Sequence, residues 1–189
     1  GASGGAPGGG AAALCSECVQ FLRLVTKENS DVQMIITFQD GAEALLAIAA
    51  QALAAARAAP ASAATFWGVA DDACACVLHL AGHGAVAQKY MCETGHMAAV
   101  TKTLRVVIAT LEGPTREALA ATLLDVVAAC VAGGPGAADC AKALVSRADA
   151  LEILCFEVLP TASLGVETRL RAAAALAALL AAADEAVLA

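Results

Sequence analysis

Eight cysteines and three histidines carry most of the chemistry open to this chain. Cys15-Ser16-Glu17-Cys18 has the spacing of half a zinc knuckle or of a redox pair. Structural zinc takes four ligands, so a second set must lie within reach. Cys74 and Cys76, with His79 and His83, would be that set. On a helix, however, residues two apart point to different sides, which separates Cys74 from Cys76. Cys15 and Cys18 share one helical face and can simply pack there. Most of the eight lie inside apolar helical patterns, where cysteine behaves as a small core residue. Core packing is the favoured reading, and a zinc- or redox-active cysteine module is the alternative.

The remaining candidates are weaker. Gly82 and Gly84 suggest that a helix ends beside His79 and His83, where a histidine interacts well with the helix dipole. His96 follows the turn residue Gly95 and is expected to be exposed. Cys92 and His96 form a Cys–His pair that straddles a turn, and a base is useful only at hydrogen-bond reach. No serine sits in a Gly-x-Ser-x-Gly elbow. The Gly-rich runs Gly1–Gly10 and Gly133–Gly136 lack the Lys-Ser/Thr of a phosphate loop. Asp71-Asp72 reads as a helix start and Asp184-Glu185 as an exposed helix end. No catalytic residue, metal ligand or cofactor site is assigned, and the chain reads as a non-enzyme.

The elements that position these side chains follow from composition. Hydrophobic residues make up 60% of the 189, with alanine supplying much of the excess, while aromatics are 3%. Alanine- and leucine-rich cores need elements that approach closely, which helices do, and strands favour the β-branched and aromatic residues that are thin here. The fold class is therefore all-α. A net charge of −7 with scattered basic residues argues against nucleic acid as partner. The apolar run Ala172–Ala183, between Arg171 and Asp184, is shorter than the roughly 20 residues of a membrane span. The uncharged stretch Gly1–Gly10 lacks the basic start of a signal peptide. A soluble, cytoplasmic chain with reduced thiols is expected.

Residues 1–13 read as a flexible Gly/Ala-rich leader, and residues 14–189 as one helical domain punctuated by Gly, Pro and Asn. Residues 56–70, with Pro60, Phe66 and Trp67, read as an inserted loop. From Leu14 onward one grammar recurs: long helix, break, short helix, tight turn, long helix. Leu24, Leu80, Val127 and Leu179 are expected at equivalent buried sites, though unevenly and widely spaced against the roughly 40 to 47 residues usual for such repeats.

Three helices per unit, the first one short, resembles the armadillo family. Residues 72–100 carry the resemblance best. Ala73–Ala81 looks like the family's third helix, with small residues first and then Leu-x-x-Leu-Ala. Thr94-Gly95 looks like its tight turn, and Asp40-Gly41 repeats that signal where Ala148 departs from it. HEAT-type helix pairs are the alternative geometry. The resemblance implies a right-handed α-solenoid of about three to four armadillo-like repeats. It further implies a non-catalytic protein–protein interaction scaffold or adaptor, a component of a large cytoskeletal or ciliary assembly. Nuclear-import members of the family present Trp and, four residues later, Asn along their third helices. The matching pairs here are Val19 and Arg23, Ala75 and His79, Thr122 and Val126, and Ala174 and Ala178. The peptide-holding ladder is thus missing, and a helical or flat partner fits better. Candidate partner-binding residues are Arg23 and His79, the expected loop pair Phe66 and Trp67, and Ala173, Leu176, Ala177 and Leu180 on the last helix. That helix ends without a polar outer face, which predicts a longer array or a partner protein covering it.

Overall fold

Breaks in the sequence decide where each helix begins. The computed structural model describes residues 9–132, 136–147 and 149–188. Its order is α1 (Gly9–Thr26), α2 (Ser30–Phe38), α3 (Gly41–Ala58), a 3-10 turn (Pro60–Ser62), α4 (Ala63–Gly82), α5 (Ala85–Glu93), α6 (His96–Thr110), α7 (Gly113–Val131), α8 (Ala137–Arg147), α9 (Ala150–Glu152) and α10 (Val166–Leu188). Helix α9 continues as π-helical turns over Ile153–Val158. Among the described residues there are ten α-helices and no strand, so the chain is all-α.

Local chemistry explains several boundaries. Asn29 caps α2 by accepting the Val32 N–H at 3.1 Å, which satisfies one of the donors a helix start leaves free. Asp40, Gly95 and Asp149 each adopt a left-handed conformation, with φ of 53°, 86° and 49°, immediately before α3, α6 and α9. The repeated turn therefore aligns Asp40, not Gly41, with Gly95. Gly41 is needed for a different reason: a Cβ there would sit 2.3 Å from Ile36 Cγ2. Ala148 lies outside the described residues.

Helices α1, α4, α7 and α10 pack side by side in that order. Helices α2, α5 and α8 form a second row, and α3, α6 and the π-helical stretch a third. The core runs through all three rows. Leu53, Leu80, Met97, Leu104, Leu123, Leu124, Leu144 and Leu179 are fully buried in it. Buried Ala42, Ala49, Ala70, Ala73, Ala120, Ala172 and Ala175 let neighbouring backbones approach closely. Helix α3 is long and apolar enough to cross a membrane by length and composition. The core helix of a water-soluble fold passes the same test, and Leu45, Leu46, Ala49 and Leu53 of α3 are buried beside α4.

Four expectations need correction. Residues 9–13 of the expected leader are already the first turns of α1, while residues 1–8 lie outside the described part. The expected loop at 56–70 is mostly helix: α3 runs to Ala58, α4 starts at Ala63, and Pro60 opens the short turn between them. Proline is accepted at a helix start, and between Ala63 and Ala70 only Gly68 is a poor helix former. Leu80, Val127 and Leu179 are buried at 0–1% exposure, but Leu24 is 74% exposed. The inward positions of α1 are Val19 and Thr26, seven apart on one face, and Leu24 lies on the opposite side. Finally, Asp71 and Asp72 sit inside α4 and not at its start.

Candidate protein-interaction surface

Two of the candidate residues meet where α1 packs on α4. Arg23 Nη1 donates to Asp72 Oδ1 at 2.6 Å and to Asp71 Oδ2 at 3.1 Å. Asp72 is 8% exposed, so this guanidinium compensates a largely desolvated carboxylate. The Asp72 hydrogen bond in turn raises the Arg23 pKa, against the opposing effect of burial. One turn on, the Thr26 hydroxyl donates to Leu22 O at 2.8 Å and lies 3.0 Å from His79 Nδ1. Burial lowers the His79 pKa, and the positive charges of Arg23 and Lys27 add to that. A neutral imidazole donating Nδ1–H to the Thr26 oxygen fits this site. Arg23, through Nη1, and His79, through Nδ1, therefore join α1 to α4.

Phe66 and Trp67 lie in the first turns of α4, half-buried against the core. Phe66 lines a shallow groove of about 200 Å³ with Cys15, Ile48, Ala55 and Val69. Trp67 Nε1 is buried without an acceptor among the described residues. Both rings therefore serve packing more than outward presentation.

The cysteines divide by depth. Cys18 is exposed on α1 and Cys15 half-buried, while Cys74 and Cys76 are buried in α4. Burial pushes the Cys74 thiol up to about 12 and the Cys76 thiol up to about 11. A group missed in the sequence forms where α5, α7 and α8 meet. Cys92 interacts there with both Cys130 and Cys140, and Cys130 Sγ lies 3.7 Å from Met97 Sδ. Hydrogen bonding among these thiols, with burial, raises Cys92 and Cys140 far above the ordinary thiol value. Such thiols stay protonated and are poor nucleophiles. Nothing in the spacing of residues 92, 130 and 140 foretells the meeting, since it depends on how three separate helices pack. Among the described residues no group of three His, Cys, Asp or Glu side chains, these thiols included, is placed to hold a metal ion.

His96 is 3% exposed, not exposed as expected. Its ring packs edge-on to Tyr90, with Thr94 Oγ1 3.1 Å from Nδ1 and Asp40 Oδ1 3.6 Å from Nε2. Tyr90 also donates to Asp40 at 2.9 Å and stacks edge-on with Phe38. The imidazole thus ties the α5–α6 turn to the α2–α3 turn. Its ring nitrogens face Thr94 and Asp40, away from any pairing with Cys92.

Large apolar side chains are exposed on several helices, Ile35, Val86 and Phe156 among them, and two groups of them lie at the ends of the first row. On α10, Ala173 and Ala177 are exposed, Leu180 is 48% and Leu170 60% exposed, and Leu176 is half-buried beside them. On α1, Leu14, Phe21 and Leu24 are 63%, 62% and 74% exposed. The α10 face was legible in the sequence. The α1 face was missed because Leu24 was counted as core. No known family, curated protein or solved structure matches the chain. Its functional reading therefore rests on this geometry.

Proposed function

We propose that this chain is a non-catalytic protein-interaction scaffold, built as a right-handed armadillo-like solenoid and working in the cytoplasm within a larger, cytoskeletal or ciliary assembly. One observation carries the scaffold reading. The polar groups singled out by chemistry are engaged in joining helices, while the outer helices α1 and α10 leave apolar stripes in water. Exposed apolar patches on a soluble chain mark interaction sites. The solenoid reading is supported by the recurring long–short–long helix order, by like helices packing on like, and by the left-handed residue before α3, α6 and α9. Stacked repeats bury a face that none buries alone.

The test uses Ala173→Lys/Ala177→Lys, both on the exposed side of α10. Lysine is a good helix former, so circular dichroism should match the parent. Bound protein partners should be lost from the variant and kept by a chain altered at Lys102 in the groove between α3 and α6. Partners retained by both chains would refute an interface on α10. The rival reading, a cysteine metal or redox module, predicts about one zinc per purified chain.

A further inference from the structure

We infer that a second copy of this chain docks head to tail on the first, the outward stripe of α1 on one copy seating against the outward stripe of α10 on the next. This rests on the solenoid reading and names its partner. In the first row α4 and α7 each present one flank to the helix before and the other to the helix after, while α1 and α10 each meet one row neighbour. The free flank of α10 is thus the kind of surface that α7 offers to α10, and the free flank of α1 is its counterpart. Continuing the row across two copies uses an interface the fold already makes three times, between α1 and α4, α4 and α7, and α7 and α10.

Size and charge both fit. The outward line of α1 is Leu14, Glu17, Phe21 and Leu24, at helical spacing and opposite buried Val19. The corresponding line on α10 carries exposed Val166 and Ala173 and half-buried Arg169 and Leu176, with exposed Ala177 beside it. Helices α7 and α10 run parallel, since Glu117 bonds Thr168 and Asp125 bonds Arg171. A parallel pairing at one constant offset sets Leu14 on Val166, Glu17 on Arg169, Phe21 on Ala173 and Leu24 on Leu176. The bulky Phe21 meets the small Ala173. Glu17 is exposed and Arg169 half-buried, and neither side chain has a charged partner among the described residues. The pairing gives each of these charges its opposite. Because the two faces differ, the contact is heterologous and open-ended, and it adds copies in a row.

Two half-blocked chains test this. Phe21→Lys/Leu24→Lys disables only the α1 face and Ala173→Lys/Ala177→Lys only the α10 face, all at exposed sites. In sedimentation velocity the parent should grow in mass with concentration, each variant alone should be a monomer, and their mixture should stop at a dimer. A parent that stays monomeric into the high micromolar range overturns the inference, as does a mixture that does not pair. A single variant that still self-associates like the parent also overturns it, because a symmetric contact would then be at work. Glu17→Arg and Arg169→Glu should each weaken pairing about two- to fivefold, and the double change should recover it. A double no better than either single overturns the register. A monomeric parent whose α10 variant still loses a bound partner would sink self-docking and leave the scaffold reading standing.

Discussion

Helices α1 and α4 are neighbours of similar length, 18 and 20 residues, and are held by different forces. Helix α4 packs on α1, α3 and α7, and eleven of its residues are buried, most of them Ala, Cys and Val. Helix α1 has neighbours on one flank, and among its described residues Val19 and Thr26 alone are fully buried. It is pinned by Arg23 gripping Asp71 and Asp72. At the other end of the row, Arg171 reaches Asp125 and Glu167. Helix α4, covered on both flanks, is held by apolar burial, while α1, with an open flank, adds a charged clamp that also fixes its rotation. The clamp leaves the opposite side apolar and available.

The largest effect should come from the middle of the row. Leu80→Ala or Leu123→Ala, both at 0% exposure, should cost about 2–5 kcal/mol, read as a fall in the denaturant midpoint. The same truncation at Leu24, 74% exposed, should leave the midpoint nearly unchanged, and equal losses at the two sites would erase the contrast. Arg23→Ala comes next. It strands Asp72, but Arg23 is 43% exposed and water can reach the carboxylate, so a loss of about 1 kcal/mol is expected. Adding Asp72→Asn should recover part of that loss.

Acid should separate the two ends. His79 is lowered from 6.5, so as the pH falls below that value the unfolded chain takes a proton that the folded chain resists. Stability present above pH 6.5 then drains toward the lower folded value, and His79→Asn should flatten that limb of the curve. At the α7–α10 contact, burial tends to raise Glu117, but bonds from the Thr168 hydroxyl and the Gly165 N–H outweigh it and leave the pKa below 4.5. Its contribution is present above pH 4.5 and is lost only on further acidification, so backbone amides of α1 should exchange faster at a higher pH than those of α10. The smallest effect is Arg171→Ala. Both partners in its clamp are more than a third exposed, so the change should be slight and should vanish in high salt.

The helical order was readable because glycine, proline and asparagine mark the breaks at Asn29, Gly82 and Gly113, and three-dimensional packing did not move them. Rotation about each helix axis was harder to read. Leu22, Leu24 and Val25 are all apolar, so the α1 pattern allows several inward faces, and the contact with Asp72 and His79 selects one. Pro60 suggested a long loop, yet the chain turns within Ala59–Ser62 and helix resumes, taking Phe66 and Trp67 with it. The α10 stripe was visible since Leu and Ala recur there with few charges. Its counterpart on α1 depended on the rotation of that helix, and the meeting of Cys92, Cys130 and Cys140 depended on the packing of three, neither of which a linear pattern records.

The π-helical turns over Ile153–Val158 bear on descent. There the Leu159 N–H reaches back five residues, to Leu154 O, one more than an α-helix spans. These turns close the helix, which gives way to turns at Leu159 and Pro160, and Leu154 and Val158 both remain buried. Sequences of this design should therefore be free to differ in length by one at this place. When they are aligned, a gap opened between Ile153 and Val158 leaves the helical pattern of α10 undisturbed.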